Sequence, residues 1–304
     1  MKEILEIIRE AERRPNERFA LATLVHARGS SYRRPGARML VARDGEFVGS
    51  LSAGCLEEEV AKAALDVIDS GEPRLMQFDT RRRFGCDGCI EILIERVDNA
   101  FLFGLTRHLV TERRPSVIAT TFRADAGGLG SRIMNDVEPM SDGVFVQEFH
   151  PAIRAIVIGN DADSAPLLRL AELVGWESSI ICNITEWNFE ADPWTAVIVK
   201  THNYGRDCAV LRHVLPLSLR YVGLMGPRRR RDELLNDLLD SGVTIASELF
   251  APAGIHLAAD SSEEIALSVV AEIQAVFTHA SCLPLRERKA PIHESQFLPA
   301  TSPS

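Results

Sequence analysis

Apolar residues recur along this chain with more than one period, and the character of the pattern changes near residue 150. From Lys2 to about Ala11 they are spaced as on one face of a helix, with Ile4, Leu5, Ile7 and Ile8 among charged neighbours. Phe19–Val25 is apolar apart from Thr23 and reads as a strand, followed by a polar loop from Arg28 to Gly36. Arg38–Ala42 and Glu46–Ser50 flank Asp44-Gly45, a strong hairpin signal. A helical pattern from Leu56 to about Asp69 ends at Ser70-Gly71-Glu72-Pro73, where glycine and proline act as stop signals. Arg74–Phe78 and Ile90–Glu95 are two more strands, bracketing an arginine- and cysteine-bearing segment, and mixed elements run from about Asn99 to Phe149.

Beyond residue 150, buried-type strands alternate with helices. The strands are Ala155–Gly159, Ser178–Cys182, Ala196–Val199 and Arg220–Gly226. Helices are predicted over Ala165–Val174, Arg206–Val214, about Arg229–Leu239, and Glu263–Phe277 with Ser261 as its cap. Continuous apolar strands separated by helices indicate a parallel sheet covered on both faces. The expected fold class is α/β: an N-terminal α+β domain over 1–150 and a Rossmann-like, doubly wound parallel-sheet domain over 151–280. Residues 281–304 are expected as an extended tail.

Composition narrows the function classes. A chain of 304 residues, 46% hydrophobic and 25% charged, can build two cored domains. The net charge of −9 argues against nucleic-acid and anionic-membrane binding. Arginine is nonetheless clustered at Arg33-Arg34, Arg81-Arg82-Arg83 and Arg228–Arg231, which suits a small phosphorylated ligand better than a polymer. The mixed-charge N-terminus lacks the features of a signal peptide, and no apolar run approaches the length of a membrane span. The expected location is cytoplasmic, with the six scattered cysteines as free thiols.

Cys55 carries the most chemical information. In Val48-Gly49-Ser50-Leu51-Ser52-Ala53-Gly54-Cys55-Leu56-Glu57 a strand meets a helix through small residues. A thiol there is expected to face free backbone N–H groups and the positive end of the helix dipole, both favouring thiolate. Glu57, Glu58 and Glu59 oppose that shift. A buried turn cysteine is the alternative. In Cys86-Asp87-Gly88-Cys89 the spacing fits redox or metal chemistry, but it supplies half a zinc site and leads into a strand rather than a helix. Should Cys55 lie nearby, Cys55 and Cys86 are candidate soft metal ligands.

The second half is a poor dinucleotide site. Its first strand-to-helix turn, Gly159-Asn160-Asp161-Ala162-Asp163-Ser164, keeps one of three fingerprint glycines and adds two acids, and Asn183 stands where a ribose-binding acid belongs. NAD(P) is therefore not expected. A better anion candidate is Gly226 with Arg228 and Arg229, where a strand turns on glycine into a basic helix start; a solvated basic turn is the alternative. His202 ends a predicted strand, and no nucleophile–base–orienter spacing is present.

Gly29-Ser30-Ser31 through Pro35-Gly36-Ala37-Arg38-Met39, and Ala53-Gly54-Cys55-Leu56-Glu57, resemble the signature of the XdhC/CoxI family, accessory factors of molybdenum hydroxylases such as xanthine dehydrogenase. Tyr221–Gly226 with its arginines, Gly254-Ile255-His256, and Glu263–Ser268 are similar to that family's Rossmann domain, and the Leu283–Arg288 tail is similar too. Two departures stand out: Cys86-Asp87-Gly88-Cys89 where relatives often carry Cys-Gly-Gly, and the glycine-poor first Rossmann turn. The resemblance implies a maturation chaperone, rather than an enzyme, that binds the molybdenum cofactor transiently. It would protect the cofactor, help it gain sulfur from a cysteine desulfurase, and pass it to an apo molybdenum hydroxylase, acting as a homodimer. Carried onto this sequence, the binding set is Ser30, Arg33, Arg34, Gly36, Arg38, Gly54 and Cys55. Two rival readings are a nicotinamide-dependent oxidoreductase working through the second half, and a thiol redox protein working through Cys86 and Cys89.

Overall fold

The structure, a computed structural model, describes residues 2–29, 32–52, 54, 56–79, 88–126, 128–134, 142–159 and 163–289. Two compact units emerge, Met1–Pro151 and one beginning at Ala152.

In the first unit, α1 (Lys2–Arg13) precedes β1 (Phe19–Gly29), β2 (Arg38–Ala42) and β3 (Phe47–Gly49). Then come α2 (Glu57–Ser70), β4 (Arg74–Asp79), β5 (Gly88–Val97) and α3 (Asn99–Thr106). The five strands form one antiparallel sheet in the order β3-β2-β1-β5-β4. Its two faces are both buried. Ala20, Ala22, Leu24, Met39 and Val41 pack with Val60, Ala64, Val67 and Ile68 of α2. On the opposite face Phe19, Leu21 and Leu40 pack with Ile7 of α1 and Leu102 of α3, while Val25 and Leu93 meet Phe122 and Phe145. Burial on both sides explains why β1 reads as an apolar run rather than an alternation. The chain over 99–149, where the apolar pattern alone separates no elements, makes α3, a five-residue π turn over Arg107–Thr111, and β6 (Ser116–Thr121), β7 (Gly130–Met134) and β8 (Val144–Phe149). These last three strands pair antiparallel in the order β7-β6-β8.

The second unit holds β9 (Arg154–Ile158), α4 (Ser164–Leu173), β10 (Glu177–Ile181), β11 (Thr195–Val199) and α5 (Tyr204–Val214). It continues with β12 (Tyr221–Leu224), α6 (Arg228–Asp240), the two-residue β13 (Leu249–Phe250) and α7 (Ser262–Thr278). All five strands run parallel in the order β10-β9-β11-β12-β13. Numbered within the unit this is 2-1-3-4-5, a doubly wound sheet whose switch point lies between its first and third strands. Ala155, Val157, Ala196 and Ile198 face α4 and α7, and Ile156, Ile158, Val197 and Val199 face α5 and α6. Ser261 caps α7 in a full capping box with Glu264. Strand β13 is too short to leave a period in the sequence.

Candidate functional site

Strand registers bring the predicted residues of the first unit to one end of its sheet. Thr23 pairs with Arg38, so the last residues of β1 run beyond β2, where Leu24 N–H donates to Ala37 O and Gly36 N–H to Leu24 O. Met39 pairs with Gly49, so β3 finishes, and the turn into α2 begins, at that same end. Cys89 stands in β5 between Arg28 of β1 and Asp79 of β4. The Arg28–Gly36 loop, the turn into α2 and the β4–β5 connection therefore share one rim of the sheet. Ser30, Cys55, Cys86 and Arg81–Arg83 belong to these connections by sequence but lie outside the described residues.

The glycines of the rim are required by its backbone. Gly49 has φ +94°, and a Cβ there would collide with the Arg38 carbonyl. Gly54 has φ +98°, and among the described residues no atom lies within 4 Å of where its Cβ would stand.

Among the described residues flanking Cys55, the N–H groups of Leu51, Ser52 and Leu56 are engaged rather than free. The Glu57 carboxylate accepts from Leu51 N–H (3.1 Å), Ser52 N–H (2.8 Å), Ser52 Oγ (2.6 Å) and Leu56 N–H (3.1 Å), and Ser50 Oγ stands 3.0 Å away. Burial alone would raise the Glu57 pKa, but bonds from Ser52 Oγ, the backbone N–H groups and Ser50 outweigh it and bring it down to about 2. The residue is 5% exposed. Read in the sequence as a first-turn charge opposing a thiolate, Glu57 is instead an internal anion in a nest of amides. Its sequence signal was the serines at 50 and 52, placed to answer a carboxylate at the helix start.

The arginines divide. Arg38 points to the sheet face away from α2, since it pairs with Thr23, which pairs in turn with Leu93 in the row that meets Phe122 and Phe145. Its guanidinium donates to Gly36 O (3.1 Å) and to Gln147 Oε1 and lies 4.9 Å from the Phe149 ring centre. Burial pushes its pKa down to about 10. Arg38 thus ties β2 to β8, and the sealed group is a poor phosphate contact. Arg33 pairs with Glu3 of α1, and Arg34 and Arg28 are exposed at the rim. Cys89 accepts from Gln77 Nε2 (3.1 Å) and lies in a strand, which is not the helix-start placement of a redox pair.

In the second unit the basic turn after β12 is also largely engaged. Arg229 is 89% exposed and pairs with Glu233 at 2.8 Å, and Arg228 is exposed. Arg230, not singled out in the sequence, turns inward to the buried Asp207 of α5 (2.6 Å). The Asp207 carboxylate also accepts from Thr201 Oγ1 (2.5 Å) and Thr201 N–H (3.3 Å). Gly226 has φ +155° and open surroundings apart from Arg230 Cδ at 3.4 Å. Asn183 caps a short turn by accepting from Thr185 N–H (3.4 Å). It lines a cavity of about 290 Å³ together with Cys182, Thr201, Asn203 and Arg206, at the carboxyl ends of β10 and β11. His202 is exposed with φ +54°. The turn residues Asn160–Ala162 lie outside the described residues.

Among the described residues no group of three or more His, Cys, Asp or Glu side chains could hold a metal ion, and no helix is long and apolar enough to cross a membrane. Residues 12–79, which carry most of the first unit's rim, match the model of the XdhC and CoxI family, and residues 155–273 match that of the XdhC Rossmann domain. Between them the two models cover more than half of the chain. This chain belongs to the XdhC/CoxI family. Cys86 and Cys89 fall outside both matches. The chain is 28% identical to a probable xanthine dehydrogenase component of Bacillus subtilis, over 84% of this chain and 92% of that one. It is 27% identical to the molybdenum cofactor insertion chaperone PaoD of Escherichia coli, over 87% and 86% respectively. A crystal structure described as a xanthine dehydrogenase from Bacillus halodurans superposes with a TM-score of 0.74 at 25% identity, covering 92% of this chain and 96% of that one.

Proposed function

We propose that this XdhC/CoxI protein is a molybdenum cofactor chaperone that binds the cofactor as cargo, protects it and delivers it to a xanthine dehydrogenase- or carbon monoxide dehydrogenase-type hydroxylase. The observation that carries the reading is the gathering, on one rim of the first unit's sheet, of three connections: the one leading to Gly36, the Gly54 turn that contains Cys55, and the β4–β5 connection that contains Cys86. Soft sulfur suits a molybdenum–dithiolene centre. The exposed guanidinium groups of Arg28 and Arg34 suit the phosphate of its pterin better than the buried Arg38. In this reading a cysteine desulfurase supplies the terminal sulfur, the chain acts in the cytoplasm as a homodimer, and the second unit serves docking. The name of PaoD as a cofactor insertion chaperone supports the reading, as does the family's link to xanthine dehydrogenase.

Co-purification of the full chain with molybdenum cofactor, wild type against Cys55→Ala, tests it. Retention is expected for the wild type and a drop of tenfold or more for the variant. Equal retention by both removes Cys55 from the site. No retention by either, with NAD raising the melting temperature, replaces the proposal with the oxidoreductase reading.

A further inference from the structure

The turn between β3 and α2 closes on a single carboxylate. Donors reach Glu57 from both sides of Cys55: Leu51 and Ser52 precede that cysteine, and Leu56 follows it. Helix α2 has no side-chain cap from its N-cap residue, Leu56. The carboxylate of the helix's own first residue instead folds back over the preceding turn and gathers the N–H groups of Leu51, Ser52 and Leu56. Ser50 Oγ, 3.0 Å from Glu57 Oε1 and 2.6 Å from Ser52 O, adds a further tie across the turn. Amides converging on one point, at the positive end of a helix, form a ready anion cradle.

We propose that Glu57 is the positioning residue of the cofactor site: its carboxylate fills the cradle made by the amides of Leu51, Ser52 and Leu56 and so fixes the backbone before and after Cys55. The inference rests on the reading of the Cys55 rim as the cofactor site. It has a second consequence for the ligand. The amides of Leu51, Ser52 and Leu56 already hold this carboxylate and are closed to an external phosphate.

Chemical rescue tests this directly. Replacing Glu57 by Ala in the full chain removes a fragment the size of acetate. At pH 7 and constant ionic strength, exchanging 200 mM chloride for acetate is expected to raise the melting temperature of Glu57→Ala by about 3 °C or more and leave the wild type unchanged. Amide exchange at Leu51, Ser52 and Leu56 should be at least tenfold faster in the variant and slow again in acetate. Cofactor retention should fall at least threefold and recover in part. Acetate that shifts neither melting nor exchange in the variant overturns the proposal, as does wild-type exchange at these amides. If Glu57→Ala does not fold, Ser52→Ala removes one donor to Glu57 and also the Oγ that accepts from Leu56 N–H, so Leu51 is the reporter: faster exchange there supports the cradle, and unchanged exchange refutes it. A wild type that retains no cofactor sinks the proposed function, while melting and exchange still judge Glu57.

Discussion

The two units present the same local device, a strand ending at a glycine turn that feeds a helix, and close it in different ways. In the first unit the turn after β3 has the amides of Leu51, Ser52 and Leu56 occupied by the Glu57 carboxylate, on the helix that the turn begins. In the second, the turn after β12 carries four consecutive arginines, and three of them have partners elsewhere: Arg229 with Glu233, Arg230 with Asp207, and Arg231 with Ala251 O (2.9 Å). A helix start with glycine, or with arginine, is thus not in itself a vacant phosphate site. What decides is whether the fold already supplies the counter-ion. Both turns are supplied from within, the first by a local acid and the second by an acid on the neighbouring helix α5.

The largest expected effect breaks the second closure. Asp207 is 1% exposed and is the shared acceptor for Arg230 and Thr201. Asp207→Ala leaves a part-buried guanidinium and a backbone N–H without their partner and should destabilise the second unit by about 3 kcal/mol or more. All three tryptophans, Trp176, Trp187 and Trp194, lie in that unit, so their fluorescence during denaturation reports it separately from the first. A cost below about 1 kcal/mol would mean that the turn after β12 does not depend on its internal acid.

Next comes the first closure. With a folded pKa of about 2 against an ordinary 4.5, Glu57 favours the fold by about 3 kcal/mol at neutral pH. The sign follows from the depressed value: the contribution is full above pH 4.5 and is lost as pH falls toward 2. Glu57→Gln should therefore be less stable than wild type by that order at pH 7, with the gap narrowing steadily below pH 4.5. Circular dichroism melts across this range check it, and tryptophan fluorescence of the second unit should stay unchanged. A gap that is constant with pH would detach Glu57's charge from the stability of the turn.

The contrast also shows what a sequence can reveal. Helices and strands with cores of clear period were legible: α2 with its Gly71 stop, the Asp44-Gly45 hairpin, the alternating second unit and the Ser261 cap. Legibility failed where partners are distant in the chain. Arg38 entered the candidate binding set through the family resemblance, from the loop that precedes it. Its bond to Gln147, 109 residues away, was not visible in the sequence. The same holds for Arg230, whose acid lies 23 residues upstream on another helix. Arginine spacing along the chain gives reach, and only the packing of elements gives direction. Strand β13 failed for the opposite reason: it is held by pairing to β12 and has too few residues to show a period.

The smallest expected effect sharpens the comparison inside the first unit, where Glu57 and Glu95 are both buried carboxylates with opposite shifts. Glu95 accepts from Ser131 N–H and Ser131 Oγ, both at 2.6 Å, yet burial raises its pKa above the ordinary value despite those bonds and the nearby Arg38. Glu57 has the amides of three residues, and Glu95 has one amide and one hydroxyl, which do not offset its desolvation. Ionising Glu95 therefore works against the fold, and its unfavourable contribution grows as pH rises through the carboxylate range and beyond. A glutamine keeps the shape, can accept from Ser131 N–H and donate to Ser131 Oγ, and carries no charge. Glu95→Gln should leave stability at pH 7 within about 1 kcal/mol of wild type, or slightly above it, and the difference should move toward the wild type as pH falls to 4. A loss of several kcal/mol at neutral pH would instead assign Glu95 the task of neutralising Arg38, making the two a single charged pair across the sheet face.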